Sequence, residues 1–306
     1  MLLNKDAFDE LASRLDEFEE GRSSFWRDEQ EVFAFDDNSF SGVGPLGTFS
    51  QSSGLVPAIA HFLLQLPFRL YGLRFTHFLS ISRAARAVTR KQMRQYDLDL
   101  LRHVLTLAFL RSRLGPKISK GPICIIGDGY ANMVSVILAT LPDSKVILVN
   151  LHKTLLVDLI CLQTGFPEID YALVRSESEL DEALASGIRI VAVCANDASI
   201  LREKPLALSI NIESMMEMDP PAIANYFDIL RSAPGAHATF YCCNQESKRY
   251  SDEGTSNFHE YPWHGDDQII VDGVCPWTKL RYGNTVPFYS RRRPDLHRLV
   301  DLKTTG

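Results

Sequence analysis

A chain of 306 residues, 45% apolar and 23% charged, has the length and composition of a globular protein with a substantial buried core, as one large domain or two ordinary ones. Its formal net charge of −6 argues against nucleic acid as the main partner, since such proteins usually carry a basic domain. The charge is uneven, with 12 acids against 4 bases from Lys5 to Asp37 and 12 bases against 2 acids from Arg69 to Lys120. Such faces are either solvated or partly neutralise each other, or the basic one is a wall facing an anionic substrate or a membrane surface.

Residues 1–118 read as a mainly helical N-terminal region. Phe8, Leu11, Leu15 and Phe18 recur at three- and four-residue steps, which puts them on one helix stripe. The acidic N-terminus lacks the apolar core of a signal peptide. Residues 38–54, rich in Gly and Ser, read as a long loop of the kind that often covers a binding site. The most apolar stretch, Leu55 to Ile81, is interrupted by Pro57, His61, Pro67, Arg69, Arg74 and His77. A spanning helix needs about 20 largely uncharged apolar residues. A transmembrane segment is therefore not expected, whereas a surface-lying helix and peripheral membrane contact stay open. Residues 95–114 resume a helical pattern that Gly115-Pro116 ends.

From residue 119 to 306 the pattern changes to alternating strands and helices. Strands are expected at Ile123–Ile126, Lys145–Val149, Ile169–Val174, Ile188–Cys194, Leu206–Ile210, His237–Cys243 and Gln268–Asp272. Helices are expected at Ala131–Leu141, Thr154–Gln163, Ser178–Ala185 and Pro220–Arg231. This predicts an α/β fold: a Rossmann-like, doubly wound, mostly parallel sheet with helices on both faces. Such sheets bind ligands outside the carboxyl ends of their strands. There, Gly127-Asp128-Gly129 follows the first strand and opens a helix, letting a ligand approach the backbone and meet free N–H groups. The dinucleotide fingerprint places a third Gly or Ala where this chain has Asn132, so the turn by itself is a weak match. Asn150, 21 residues after Gly129, stands where an acid commonly reads ribose hydroxyls.

This block resembles the class I S-adenosylmethionine-dependent methyltransferases, whose first motif is an acid-x-Gly-x-Gly-x-Gly turn. Here Ile125 replaces the leading acid and Ala131 the last glycine, while Asp128 offers a carboxylate within the turn. The segments NLHKTLLVDLICLQTG, INIESMMEMDPPAIANYFDILR, FYCCNQESKRY, EYPW and CPW resemble, in that order, a family of sugar O-methyltransferases, over roughly residues 119–282. The resemblance implies S-adenosyl-L-methionine as cofactor and methyl transfer to a hydroxyl of a sugar, nucleotide-sugar or glycan. Gly127, Asp128, Gly129 and Tyr130 would cradle the methionine end, Asn150 and Leu151 would face ribose and adenine, and Asn196 would lie near the methyl group.

In-line transfer from a sulfonium requires the acceptor oxygen at attacking distance and a base for its proton. Carboxylates beyond strand carboxyl ends are the candidates: Asp197, Glu217 and Glu213. Asp219 reads as the cap of the helix that begins at Pro220. Asn211, Ser214 and Asn244 lie at neighbouring strand ends, and Tyr261 and Trp263 offer faces for a sugar ring. No dedicated metal motif occurs, although Mg²⁺ held by Asp197 and Glu217 with the substrate is chemically conceivable. The six cysteines form no C-x-x-C pair and sit largely in apolar runs, which suits a reducing, cytoplasmic setting. Two other readings share the fold: a catalytically inactive methyltransferase-like binding protein, and a nicotinamide-dependent sugar oxidoreductase or epimerase. A homo-oligomer is compatible with all three.

Overall fold

The computed structural model describes residues 1–14, 34–36, 39–41, 54–249, 254–281, 288–290 and 293–305. Leu15, Phe18 and most of the 38–54 loop lie outside the described residues. Ser39–Ser41 is not loop but pairs antiparallel with Ala34–Asp36.

Nine strands form one sheet: β1 (Leu2–Leu3), β2 (Ile123–Ile126), β3 (Val146–Asn150), β4 (Tyr171–Val174), β5 (Ile190–Cys194), β6 (Leu208–Ile212), β7 (His237–Gln245), β8 (Gln268–Val274) and β9 (Asp295–Lys303). Their spatial order is β1-β4-β5-β3-β2-β6-β7-β9-β8. Strands β4, β5, β3, β2, β6 and β7 run parallel. β1 joins one edge antiparallel, and β9 is inserted antiparallel between β7 and β8. The chain winds outward from β2 in both directions, so the crevice outside the ends of β2 and β6 is the switch point of the sheet.

The helices are α1 (Asn4–Ser13), α2 (Leu55–Leu64), α3 (Leu66–Gly72), α4 (Phe78–Lys91), α5 (Leu98–Leu114), α6 (Asn132–Thr140), α7 (His152–Gly165), α8 (Glu177–Ala185) and α9 (Pro220–Arg231). β2, β3 and β5 are buried on both faces, which explains their continuous apolar runs. Ile123, Ile125, Val146 and Leu148 share one core with α1 and α4–α7, while Cys124, Ile126, Ile147 and Val149 share another with α8 and α9. The helical N-terminal region thus packs into the same core as one face of the sheet. α5 starts at Asp97, whose carboxylate accepts from Leu100 N–H at 2.9 Å, and ends at Gly115 with φ +55. Pro220 opens α9 as expected, but the Asp219 side chain accepts no capping bond. All six cysteines are buried thiols without disulfides, and burial pushes Cys124 and Cys242 up to about 12.

Candidate active site

The glycine turn stands at the carboxyl end of β2, against the end of β6. Gly127, Gly129, Tyr130 and Ala131 all have left-handed backbones, with φ of +69, +62, +56 and +49. Gly127 N–H donates to Val149 O on β3 at 2.8 Å, closing the turn onto the neighbouring strand. Asp128 spans the start of α6, accepting from Met133 and Val134 N–H at 2.8 Å each. Ala131, at the cap position, has no side chain for that role, so Asp128 satisfies the helix donors from within the turn. Burial raises the Asp128 carboxyl, against the opposing charge of His103 on α5. Tyr130 is buried, with the Arg94 guanidinium 5.6 Å from its ring centroid, and burial pushes its hydroxyl up to about 12. The backbone at Tyr130, rather than its ring, shapes the turn.

Asn132, which breaks the dinucleotide fingerprint, is buried and tied to the helical region. Its Oδ1 accepts from Arg94 at 3.0 Å and its Nδ2 reaches Asp99 Oδ2 at 3.4 Å. A Gly or Ala there would leave Arg94 and Asp99 without this link to α6. Nearby, burial and the charge of Asp99 raise Asp97 to about 7, against Arg94 and Arg102. A carboxyl with a raised folded-state pKa contributes stability below its unfolded value, and that contribution is lost as pH rises through about 7. Asp97→Asn keeps a capping oxygen. It should flatten the fall in stability between about pH 4 and 7 by on the order of 2–4 kcal/mol, read by denaturant unfolding at several pH values. A parent protein equally stable at both ends of that range would count against an Asp97 titration.

Asn150 ends β3 with both ends of its amide in use. Nδ2 donates to Asp158 Oδ2 at 2.8 Å and Oδ1 accepts from Leu151 N–H at 3.0 Å. The other Asp158 oxygen accepts from Ala131 N–H at 2.7 Å, so this fully buried acid of α7 ties the glycine turn to the second strand. Asp158 carries a key structural role that the sequence reading missed. The available signal was a lone acid in the apolar run of LLVDLICL. His152, at the start of α7, is buried.

The far wall comes from β6. Ser214 Oγ donates to Ile126 O at 3.1 Å, and Asn211 Nδ2 donates to the same oxygen at 2.8 Å. Asn211 Oδ1 accepts from Met215 N–H at 3.1 Å and Asn244 Nδ2 at 2.8 Å, and Asn244 Oδ1 accepts from Met216 N–H at 3.0 Å. Asn211 and Asn244 are fully buried, so they position the β6 end instead of facing a substrate as expected. Ser214 remains partly accessible beside the turn. Tyr261 and Trp263 likewise belong to an aromatic layer under α9. Tyr261 is buried with Phe258 5.4 Å away, and Trp263 meets Phe227 edge-on at 4.8 Å and donates to Phe258 O at 2.8 Å. Packing among apolar side chains replaces the sugar-stacking role expected for them.

The three candidate bases have different surroundings. Glu217 is buried and paired with Lys248 Nζ at 2.6 Å, held there by the hairpin of Ser247–Arg249 and Thr255–Asn257. Glu213 is half-buried, has a left-handed backbone with φ +52, and pairs with Arg281 at 2.7 Å. Asp197 is half-buried in the 3-10 turn Ala195–Leu201 after β5, beside the exposed Asn196. Among the described residues no three His, Cys, Asp or Glu side chains converge as a metal site. The Mg²⁺ conceived between Asp197 and Glu217 gains no support, because Lys248 already neutralises Glu217.

No protein-family model and no curated protein matches this sequence. Solved structures do match. One is an O-methyltransferase family protein from Burkholderia thailandensis, at 9% identity over 90% of this chain and 80% of that one, with a TM-score of 0.40. Another is a phosphoethanolamine N-methyltransferase from Haemonchus contortus bound to phosphomonomethylethanolamine and S-adenosylhomocysteine, at 11% identity over 65% and 52%, with a TM-score of 0.40. The pyocyanin biosynthetic protein PhzM matches at 11% over 65% and 58%, with a TM-score of 0.38. The chain spans little more than half the length of the last two, and the likeness goes no further than the fold.

Proposed function

We propose that the chain is an S-adenosylmethionine-dependent O-methyltransferase acting on a sugar hydroxyl of a glycan or nucleotide-sugar precursor. The observation that carries this reading is the left-handed backbone at Gly127, Gly129, Tyr130 and Ala131 at the switch point, with the end of β6 packed against it. The sugar rests on the resemblance of the segments after residue 119. With the methionine end over the turn and adenosine toward β3, Asp197 lies beyond β3, on the adenine side. Glu213 lies just past β6, next to Ser214, which packs on the turn, where the methyl group and acceptor would meet. Its strained backbone is the kind of local cost found at functional sites. Glu213 is therefore the proposed base, oriented by Arg281, and the Glu217–Lys248 pair supports the wall behind it. When bound, S-adenosylmethionine supplies the electrophilic methyl group. The chain's own part is to align the acceptor oxygen and take its proton at Glu213.

Titration calorimetry with S-adenosylhomocysteine, NADH and NADP⁺ tests the pocket. Binding of S-adenosylhomocysteine alone is expected, and nicotinamide binding alone would favour the oxidoreductase reading. With labelled donor and a panel of sugar acceptors, Glu213→Gln should lower kcat by roughly 10²- to 10⁴-fold while S-adenosylhomocysteine affinity is retained. Asp197→Asn should weaken the cofactor instead. Full turnover in Glu213→Gln would remove it as the base.

A further inference from the structure

The basic, apolar stretch between the two helical segments finds no use in the site described above. α2 is apolar around its whole circumference, with His61 its only ionisable residue, yet none of its described side chains is fully buried. A helix apolar on all sides belongs in a core or a membrane environment. Val56, Ile59, Leu63, Leu66, Leu70 and Leu73 follow one another at steps of three and four, forming a continuous stripe along α2 and α3. All six are exposed, Val56 at 78% and Leu70 at 64%. Exposed apolar patches of this extent mark interaction sites.

Charge decides what fits. No acidic residue occurs between Gly54 and Asp97, while Arg69, Arg74, Arg83, Arg86, Arg90 and Lys91 do. The exposed Arg74 guanidinium lies 4.8 Å from the Tyr71 ring, so a positive head borders the apolar stripe, while half-buried Arg69 is held by Gln65 and Ser82. Arg74, Arg83, Arg90 and Lys91 are exposed. A second copy would bring the same cations to the same seam and be repelled. No described helix is long and apolar enough to cross a membrane, so the stripe suits a surface-lying mode. We propose that α2 and α3 dock this protein on an anionic lipid bilayer, with the leucine stripe in the headgroup–acyl boundary and the arginines on lipid phosphates and carboxylates.

Flotation of the full chain with phosphatidylcholine–phosphatidylserine vesicles, against phosphatidylcholine alone, tests this directly. Binding is expected on the mixed vesicles, falling with added salt. Neutralising Arg74 or Arg90 with Gln should weaken it about fivefold for each charge that reaches the surface. The double change Val56→Asp, Leu70→Asp should abolish it, with an unchanged melting curve to show that the fold is intact. Three results would overturn the proposal. One is no flotation even at low salt. Another is flotation that ignores the aspartates. The third is concentration-dependent dimers that the aspartates dissolve while vesicles stay unbound.

Discussion

Gly127→Ala should destabilise the protein by about 3 kcal/mol and abolish S-adenosylhomocysteine binding. A β-carbon at Gly127 would stand 2.2 Å from Ser214 Oγ and 2.6 Å from Ser214 Cβ, distances that no pair of such atoms tolerates. Relief by a rotation of Ser214 is obstructed, because its hydroxyl also sits between Asn211 and Ile126 O. The left-handed φ of +69 adds a backbone cost of about 1–2 kcal/mol for any residue with a β-carbon. The two contributions can be separated. Gly127→Ala with Ser214→Gly removes both close contacts and leaves the backbone cost, so it should recover part of the lost stability. Denaturant unfolding with calorimetry on each variant gives the readout. A single Gly127→Ala as stable as the parent, with unaltered affinity, would mean that β6 does not pack against the turn.

Asp158→Ala should cost about 2–6 kcal/mol, because Ala131 N–H and Asn150 Nδ2 would lose their shared acceptor inside the core at about 1–3 kcal/mol each. Burial and the charge of Asp128 raise the Asp158 carboxyl well above the usual range. Its proton is therefore held more tightly in the folded state than in the unfolded one. Stability from this group is complete at low pH and declines as pH climbs through the folded-state value. Asp158→Asn should remove that decline while keeping one acceptor for Ala131. Cofactor affinity should fall more than stability in the Asn variant, since Asn150 would then face an amide in place of a carboxylate. An Asp158→Ala protein with parental stability would show that water readily replaces both bonds.

Much of the sheet was legible in the sequence because its parallel strands are apolar on both faces and punctuated by turns. Ile123–Ile126 and Pro220–Arg231 occur as read, and the remaining parallel strands and helices differ by a few residues at their ends. β9 was not legible. Its nine residues carry Asp295, His297, Arg298 and Asp301, which interrupt any apolar run. Partners distant in sequence make this tolerable inside the sheet: Arg298 pairs with Asp272 at 2.8 Å, Tyr241 OH meets His297 at 3.3 Å, and Asp295 lies 3.6 Å from Arg281. The glycine turn was found from its own residues. The engagement of Asn150, Asn211 and Asn244 by buried partners was not, because an amide looks the same in a sequence whether it meets a ligand or a backbone N–H. The stripe from Val56 to Leu73 was visible as composition, and only the folded chain shows that it faces outward.

The antiparallel insertion of β9 sets a schedule for biosynthesis. β7 ends at Gln245 and its eventual neighbour begins at Asp295, a gap of 49 residues. At about 5–20 residues per second the ribosome needs roughly 3–10 s to cross it. For that interval the apolar flank of β7 is an open template, and β8 has no strand beside it. Nascent chains stalled before residue 295 should recruit holding chaperones that chains released after Lys303 no longer need.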